Sequence, residues 1–445
     1  MAEQIVSKSA EASNIEKLSV ISNKDGKSVN IANGVVALYY YESLLQDSLR
    51  ATVTFVDAGN AINNKTALDG LPIVGQEKVS LKFSDNNKNK LDLTLYVNKV
   101  TPLSDDTTKS MVQLDLTSKE FIMNEKVRLN SRFDGKISDH IKKILTDSNY
   151  LGTQKRVDVE ETSNNYNFIG NNRKPYYALN WLSKKAVSSQ NQQEGKSAGY
   201  FFYETSEGFK FKSIDGLLAQ QKKKSIIYNQ SPDSSGKNVP AGYDVKALDY
   251  QKDNRVDVQE KLQMGAYSTR TILFDPFTCY YEVVAEKADK SSLKLGGKDL
   301  PKLNDEFNKE GKNKDFSRTT YYLLDKGTLP TGGTQQQIEK STEENFEPKK
   351  VLNQAIRRYN QLYASKCTIT IAGDFSLHAG DVIFLDAPEL QTDTKNDDVN
   401  KQSGGLYIIA DLCHYVSTRE TYTKLNLVRD SFGRKGNHTS GNIPL

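Results

Sequence analysis

The feature that most constrains this chain is a β pattern written twice. In residues 367–429, Leu406, Ile408, Ala410 and Leu412 alternate with Tyr407, Ile409 and Asp411, and Leu425 and Leu427 alternate with Lys424 and Asn426. A period of two assigns each apolar set to one face of a sheet. Gly380-Asp381 fits a tight turn feeding the apolar run 382–385, which has the composition of a strand buried on both faces. Residues 71–121 follow the same plan. Gly75 stands where Gly380 stands, Leu95 where Leu406 stands, and Leu114 where Leu425 stands. Leu93, Leu95 and Val97 therefore match Leu406, Ile408 and Ala410, and two modules of one design predict a duplicated barrel with two separate apolar interiors.

A chain of 445 residues exceeds one hydrophobic core, so roughly three or four domains are expected. Its 37% hydrophobic content and mean hydropathy of -0.63 are low for a compact enzyme but above the disordered range. They suit an elongated or assembled protein with much polar surface. A net charge of +4 is too weak to argue for nucleic-acid binding. Cys279, Cys367 and Cys413 are odd in number and lack CxxC spacing, which argues against a disulfide scaffold and is compatible with a reducing compartment. The first residues lack an apolar core of signal-peptide length, and no apolar run reaches the ~18 residues of a membrane-spanning helix.

In chain order, residues 1–17 read as a polar, loose arm. Residues 18–120 make the first β module, with Leu49, Ala51, Val53 and Phe55 alternating with polar neighbours. Residues 121–225 read as an α/β domain. Ile137, Ile141, Ile144 and Leu145 form the stripe of one amphipathic helix over 136–148. A second helix starts at Pro175, where a missing N–H costs nothing, and runs to about Gln190 with Ala178, Trp181, Leu182 and Ala186 buried. A hairpin follows over 200–212, with Gly208 at the turn position that needs a positive φ. YSTRTILFDPF, residues 267–277, resembles LRATVTFVDAG of the first module, so residues 226–282 and 346–432 are assigned to the second barrel. Residues 283–345 form a polar insertion, an appended domain or loop, and a helix over 350–363 leads back into the closing strands. The Gly-rich tail 433–445 is expected to order on a partner.

Three features together carry a resemblance. They are the Trp181 helix followed by the GYFFYETSEGFKFKSIDGL hairpin, the Tyr- and Arg-rich helix feeding a strand–Gly-Asp–strand turn, and the duplicated barrel split by insertions. Over residues 18–432 the chain resembles the central hub subunit of the baseplate of large contractile-tailed phages, a family related to the hub half of type VI secretion spike proteins. The resemblance implies an α+β, mainly β fold with two tail-tube-like β-barrel domains. It also implies a homotrimeric structural virion protein rather than an enzyme. The tail tube or a tube-initiator protein would lie above, the central spike below, and tape-measure and baseplate wedge proteins alongside. DNA would pass through the bore without being held, between a lining of mixed or mildly acidic groups. Assembly would take place in the host cytoplasm. Two other readings stay open, a receptor- or carbohydrate-binding tail adhesin and a peptidoglycan-cleaving tail enzyme.

The side chains that carry chemistry elsewhere are sparse here. His140, His378, His414 and His438 fall in no metal-ligand pattern. His140 lies at the edge of its helix stripe and reads as a partly solvated structural residue. Cys413 and His414, adjacent on a strand, point to opposite faces and cannot act as a pair. Glu204 and Glu207 flank the hairpin turn, but nothing nearby supplies the apolar pocket a glycosidase acid needs. Lys222, Lys223 and Lys224 read as a solvated linker, Trp181 as core, and Gly296-Gly297 as a turn. No catalytic, cofactor-binding or metal-binding residue is assigned.

Overall fold

The structure is a computed structural model. It describes residues 10–58, 66–71, 73–106, 108–189, 198–228, 239, 242–253, 257–276, 278–287, 293–307, 316–325, 327, 333–342, 345, 348–387 and 400–436. The fold is mainly β with helices inserted. The first part holds β1 (Asn14–Ile21), β2 (Ser28–Asn30), β3 (Val35–Ser43), β4 (Arg50–Asp57), α1 (Ala67–Gly70), β5 (Lys78–Ser84), β6 (Lys90–Asp105) and β7 (Ser110–Thr117). Then come α2 (Lys119–Lys126), β8 (Arg132–Phe133), α3 (Ile137–Thr146), β9 (Val157–Val159), β10 (Phe168–Ile169), α4 (Pro175–Ser183), β11 (Tyr200–Thr205), β12 (Gly208–Ser213) and α5 (Ile214–Leu218). The remainder is β13 (Lys224–Ile227), β14 (Val245–Lys246), β15 (Asp249–Asp253), α6 (Val258–Met264), β16 (Ser268–Asp275), β17 (Tyr280–Lys287), β18 (Arg318–Leu323), α7 (Thr334–Thr342), α8 (Pro348–Leu362), β19 (Ser365–Ala372), β20 (Val382–Asp386), β21 (Gly405–Ser417) and β22 (Thr421–Arg429).

Both β modules lie in one 14-stranded sheet that does not close on itself among the described residues. Within it a five-strand unit occurs twice. The first runs β3–β4–β7–β6–β5 and the second β15–β19–β22–β21–β20, every neighbour antiparallel. The match extends to irregularities. The β6–β7 ladder skips a residue between Val97 and Lys99, and the β21–β22 ladder skips one between Ile409 and Asp411. At these bulges Val97 faces Leu116 and Ile409 faces Leu427. The turn before the last strand matches too. Gln76 N–H donates to Val97 O, and Gly380 N–H donates to Ile409 O. Gln76 and Gly380 both have positive φ, +70° and +88°.

This pairing moves the expected register by one residue. Leu95 corresponds to Tyr407, not Leu406, and Gly380 corresponds to Gln76, not Gly75. Leu114 does correspond to Leu425, since both face the residue three beyond their bulge, Val100 and Leu412. Consequently Leu406, Ile408 and Ala410 do not line the interior that Leu95 and Val97 line. They pack with Phe201, Tyr203, Ile214 and Leu362 on the other face of the sheet. Tyr407, Ile409 and Leu412 join Leu95, Val97 and Leu114 in one contiguous core spanning both modules, where two separate interiors were expected. The start of β21 is apolar on both faces, so alternation carried no sign there, and the bulge at Ala410 then switched the sides. Strand β20 is buried on both faces, as its unbroken apolar run requires.

Other expectations shift as well. Residues 268–275 do not open the second module; β16 lies between β17 and β18 in a separate three-stranded sheet. The true counterpart of β4 is β19: Ala51, Thr52, Val53, Thr54 and Phe55 take the ladder positions of Cys367, Thr368, Ile369, Thr370 and Ile371. The described part of the N-terminal arm is not loose. Thr421 N–H donates to Ala10 O, Ser13 N–H donates to Thr421 Oγ1, and Asn14 pairs with Ser84. Its polar sequence concealed this because backbone groups make most of the bonds. The described tail is held by the chain itself: Arg434 makes two bonds to Asp386, and Lys435 donates to Leu295 O.

The helical part supports the sheet from its second face. Helix α3 buries Ile137, Ile141, Ile144 and Leu145, and α4 starts at Pro175 as expected but ends at Ser183, short of Gln190. Val187 and Ser188 instead bridge to Ala198 and Thr162, spending on neighbours the backbone groups a longer helix would use. Gly208 has φ +125°, and a Cβ there would lie 2.2 Å from Arg156 O. Helix α8 is anchored by Arg358, fully buried between Asp215 at 2.7 Å and Asp430 at 2.8 Å. Gly296 and Gly297 are not a surface turn. Their amides bind Asp430 and Ser431, and a Cβ on Gly297 would lie 2.6 Å from Phe432 O.

Candidate functional site

The two five-strand units are joined by one ladder. Strand β21 outruns β20, and its free length from Asp411 to Ser417 pairs antiparallel with Ser43 to Ala37 of β3. Alternation along β3 sorts its side chains. Leu38, Tyr40 and Glu42 are buried, while Tyr39 and Tyr41 are exposed on the opposite face. There Tyr39 meets the ring of Tyr415, which lies near Tyr422, giving an aromatic stripe across β3, β21 and β22. The same face forms a groove of about 900 Å³ whose lining includes Arg50, Asp115, Asp411, Cys413, Lys424 and Asn426. Its polar contacts repeat between units. Thr52 donates to Asp115, and at the equivalent position Thr368 donates to Asn426. The charges are mixed, and no basic stripe runs along it.

Beneath the joint, Glu42 ties three distant segments together. Its carboxylate accepts from Tyr40 Oη at 2.7 Å, Ser206 N–H at 2.8 Å and Ala379 N–H at 2.9 Å, and faces His378 Nδ1 at 3.3 Å. Burial alone would raise its pKa. The hydrogen bond and charge of His378, with the Ser206 and Tyr40 donors, outweigh it and hold the carboxyl down at about 2. Burial likewise opposes protonation of His378, but the Glu42 contact wins and raises it.

The residues singled out in the sequence fall into structural settings. His140 is buried, not partly solvated; its Nε2 lies 2.8 Å from Tyr166 O, between Phe133 and Phe168. His414 is fully buried against Phe375 with Thr423 Oγ1 at 2.9 Å, and burial lowers its pKa to about 4. Cys413 lies on the groove face, so the adjacent pair does point apart. Cys367 is buried and Cys279 exposed. His438 lies outside the described residues. Glu204 and Glu207 part company. Burial raises the pKa of Glu204, which is committed to Lys155 Nζ at 2.6 Å and Leu49 N–H at 3.0 Å. Glu207 pairs with Lys210 at 2.7 Å. Lys222 to Lys224 are not a solvated linker: Lys222 donates to Ser225, Lys223 pairs with Asp381 and Lys224 with Asp374. Trp181 is half-buried and packs on Tyr166 and Phe168, with Arg173 over its ring at 4.6 Å. Among the described residues, no group of three or more His, Cys, Asp or Glu is placed to share a metal ion, and no helix is long and apolar enough to cross a membrane. The sequence reading missed Glu42. Its signal was a lone acid at an inward position of the alternating run 38–42.

The 43 kDa tail protein of prophage MuSo2 from Shewanella oneidensis superposes with a TM-score of 0.50 at 11% identity, covering 93% of this chain and 98% of that one. The fold is shared with a prophage tail protein. Looser likenesses join a tail protein from Neisseria meningitidis MC58, TM-score 0.49 at 10% identity over 93% and 96% of the two chains, and the E. coli c3393 protein. The latter is described as a type VI secretion component similar to T4 tail proteins gp27 and gp5, with TM-score 0.46 at 10% identity over 97% and 80%. No family model matches the chain, and no curated protein matches it in sequence.

Proposed function

We propose that the chain is a structural protein of a contractile phage tail, the hub of its baseplate. Three copies close into a ring that continues a sixfold tail tube above and carries a threefold spike below. The observation that carries this reading is the repeated five-strand unit. Three chains then present six near-equivalent faces, which is what a threefold body needs to meet a sixfold tube. The shared prophage tail-protein fold supports the same reading. In the ring, the aromatic groove face lines the bore. Its mixed charges, Arg50 and Lys424 against Asp115 and Asp411, suit DNA that must slide, because each phosphate neutralised by a cation adds salt-sensitive affinity. The chain assembles in the host cytoplasm and resides in the virion, with tape-measure and wedge proteins as further neighbours. Mass photometry of the protein across a concentration series, alone and with its tail partners, tests the proposal. A mass of three chains is expected in the assembled state; a monomer there, or any other copy number, overturns it.

A further inference from the structure

One chain contains one complete joint between units and the two halves of another. The complete joint is β3 on the far length of β21. The counterpart of β21 is β6, and β5 covers β6 only from Lys90 to Tyr96. From Lys99 to Asp105 no strand lies on that edge of β6 among the described residues, and Leu103 is 48% exposed. The counterpart of β3 is β15, because Tyr40 faces Ala51 where Lys252 faces Cys367. No strand lies on the second edge of β15 among the described residues. The half joints sit toward opposite ends of the row of strands, so the chain does not join them to each other.

Resting on the ring reading above, we propose that the far edge of β6 pairs antiparallel with β15 of the next copy, so that the seam between subunits repeats the β3–β21 joint within each. The contact is head-to-tail, the kind that closes into a ring. Equivalence fixes its register. Cys413 faces Tyr41 and His414 faces Tyr40 inside the chain, so Thr101 faces the next copy's Asp253 and Pro102 its Lys252. Pro102 removes one donor from an otherwise sticky edge, which disfavours stray pairing while leaving its carbonyl for the seam.

Disulfide trapping reads the register. Leu44 N–H donates to Ala410 O, so bonded pairs fall at even-numbered residues of β21, and Cys413 faces Tyr41 in a non-hydrogen-bonded pair. Such pairs bring Cα atoms to about 4.5 Å, within disulfide range. The double variant Thr101→Cys with Asp253→Cys, in a Cys279→Ser background, is oxidised with copper-phenanthroline in air. A covalent three-chain species reversed by thiol is expected, with each single-cysteine variant remaining uncross-linked. Hydrogen exchange on the unsubstituted protein provides a second measure: residues 99–105 and 249–253 gain protection together on assembly. If mass photometry finds the trimer but neither cross-link nor joint protection, the seam is wrong and the ring reading stands. If no trimer forms at any concentration or with partners, the ring reading fails and the seam with it.

Discussion

Replacing Arg358 with Met should destabilise the protein more than any exposed substitution. The guanidinium is fully buried, as are Asp215 and Asp430, which it bridges from α8 to α5 and to the residue after β22. Removing it leaves two carboxylates facing each other without water or counter-charge. Breaking a buried pair from one side costs about 3–5 kcal/mol. For a cooperative unit of this size each kcal/mol shifts the melting temperature by about 2–4 °C, so a drop of about 6–20 °C is expected for the transition that includes α8. Differential scanning calorimetry measures it, with urea unfolding as a check that a single transition is being compared. The triple variant Arg358→Met, Asp215→Asn, Asp430→Asn separates lost charge pairing from lost packing, and it should recover at least half of the deficit. A loss below about 1 kcal/mol, or a triple variant no better than the single one, refutes the claim that unpaired carboxylates dominate.

Three further outcomes follow from the same geometry. Gly380→Ala sets a Cβ 2.2 Å from Tyr203 Oη at φ +88° and should cost more than about 2 kcal/mol by denaturant midpoint, whereas Gln76→Gly at the equivalent position should be neutral or stabilising by up to about 1 kcal/mol. Glu42 titrates lower in the folded than in the unfolded chain, so its contribution is complete above pH 4.5 and is lost as pH falls toward about 2; the gap corresponds to about 3 kcal/mol, and Glu42→Gln should flatten the stability–pH curve in that window. His414, held neutral, adds an acid-side loss between pH 6.5 and about 4, which His414→Gln should remove while lowering stability at neutral pH through the Thr423 contact. Gly297→Val, pressed on Phe432 O, should loosen residues 429–433 and raise their amide exchange.

The duplication was legible in the sequence, but its register was not. Alternation placed Val112, Leu114 and Leu116 inward, and they are buried. It failed at Leu406 because both faces of that strand end are apolar, so counting by twos gave no sign, and no sequence mark announces the bulge at Ala410. The counterpart of β4 was mistaken because Asp275 seemed to close β16 as Asp57 closes β4. The better clue was polar: Thr52 and Thr54 recur as Thr368 and Thr370 on the outward face. Helices α2 and α7 carry weak apolar stripes and escaped notice, whereas α3 and α8 were clear. The joint itself was invisible because β3 and β21 meet only through backbone pairing across the length of the chain.

That last pairing sets the order of events during synthesis. Ser43 and Asp411, bonded at the joint, are 368 residues apart. At roughly 5–20 residues per second, β3 leaves the ribosome roughly 20–70 s before the strand that will cover its edge. Through that interval the first unit exposes an edge alternating Tyr39, Tyr40 and Tyr41. The nascent chain must therefore either remain dilute, be held by a chaperone, or borrow the edge of another copy. A premature pairing of β3 with the β21 of a neighbour would give swapped chains instead of a ring, so the yield of correct assembly should rise as translation is slowed only after residue 405 and fall when the pause comes before it.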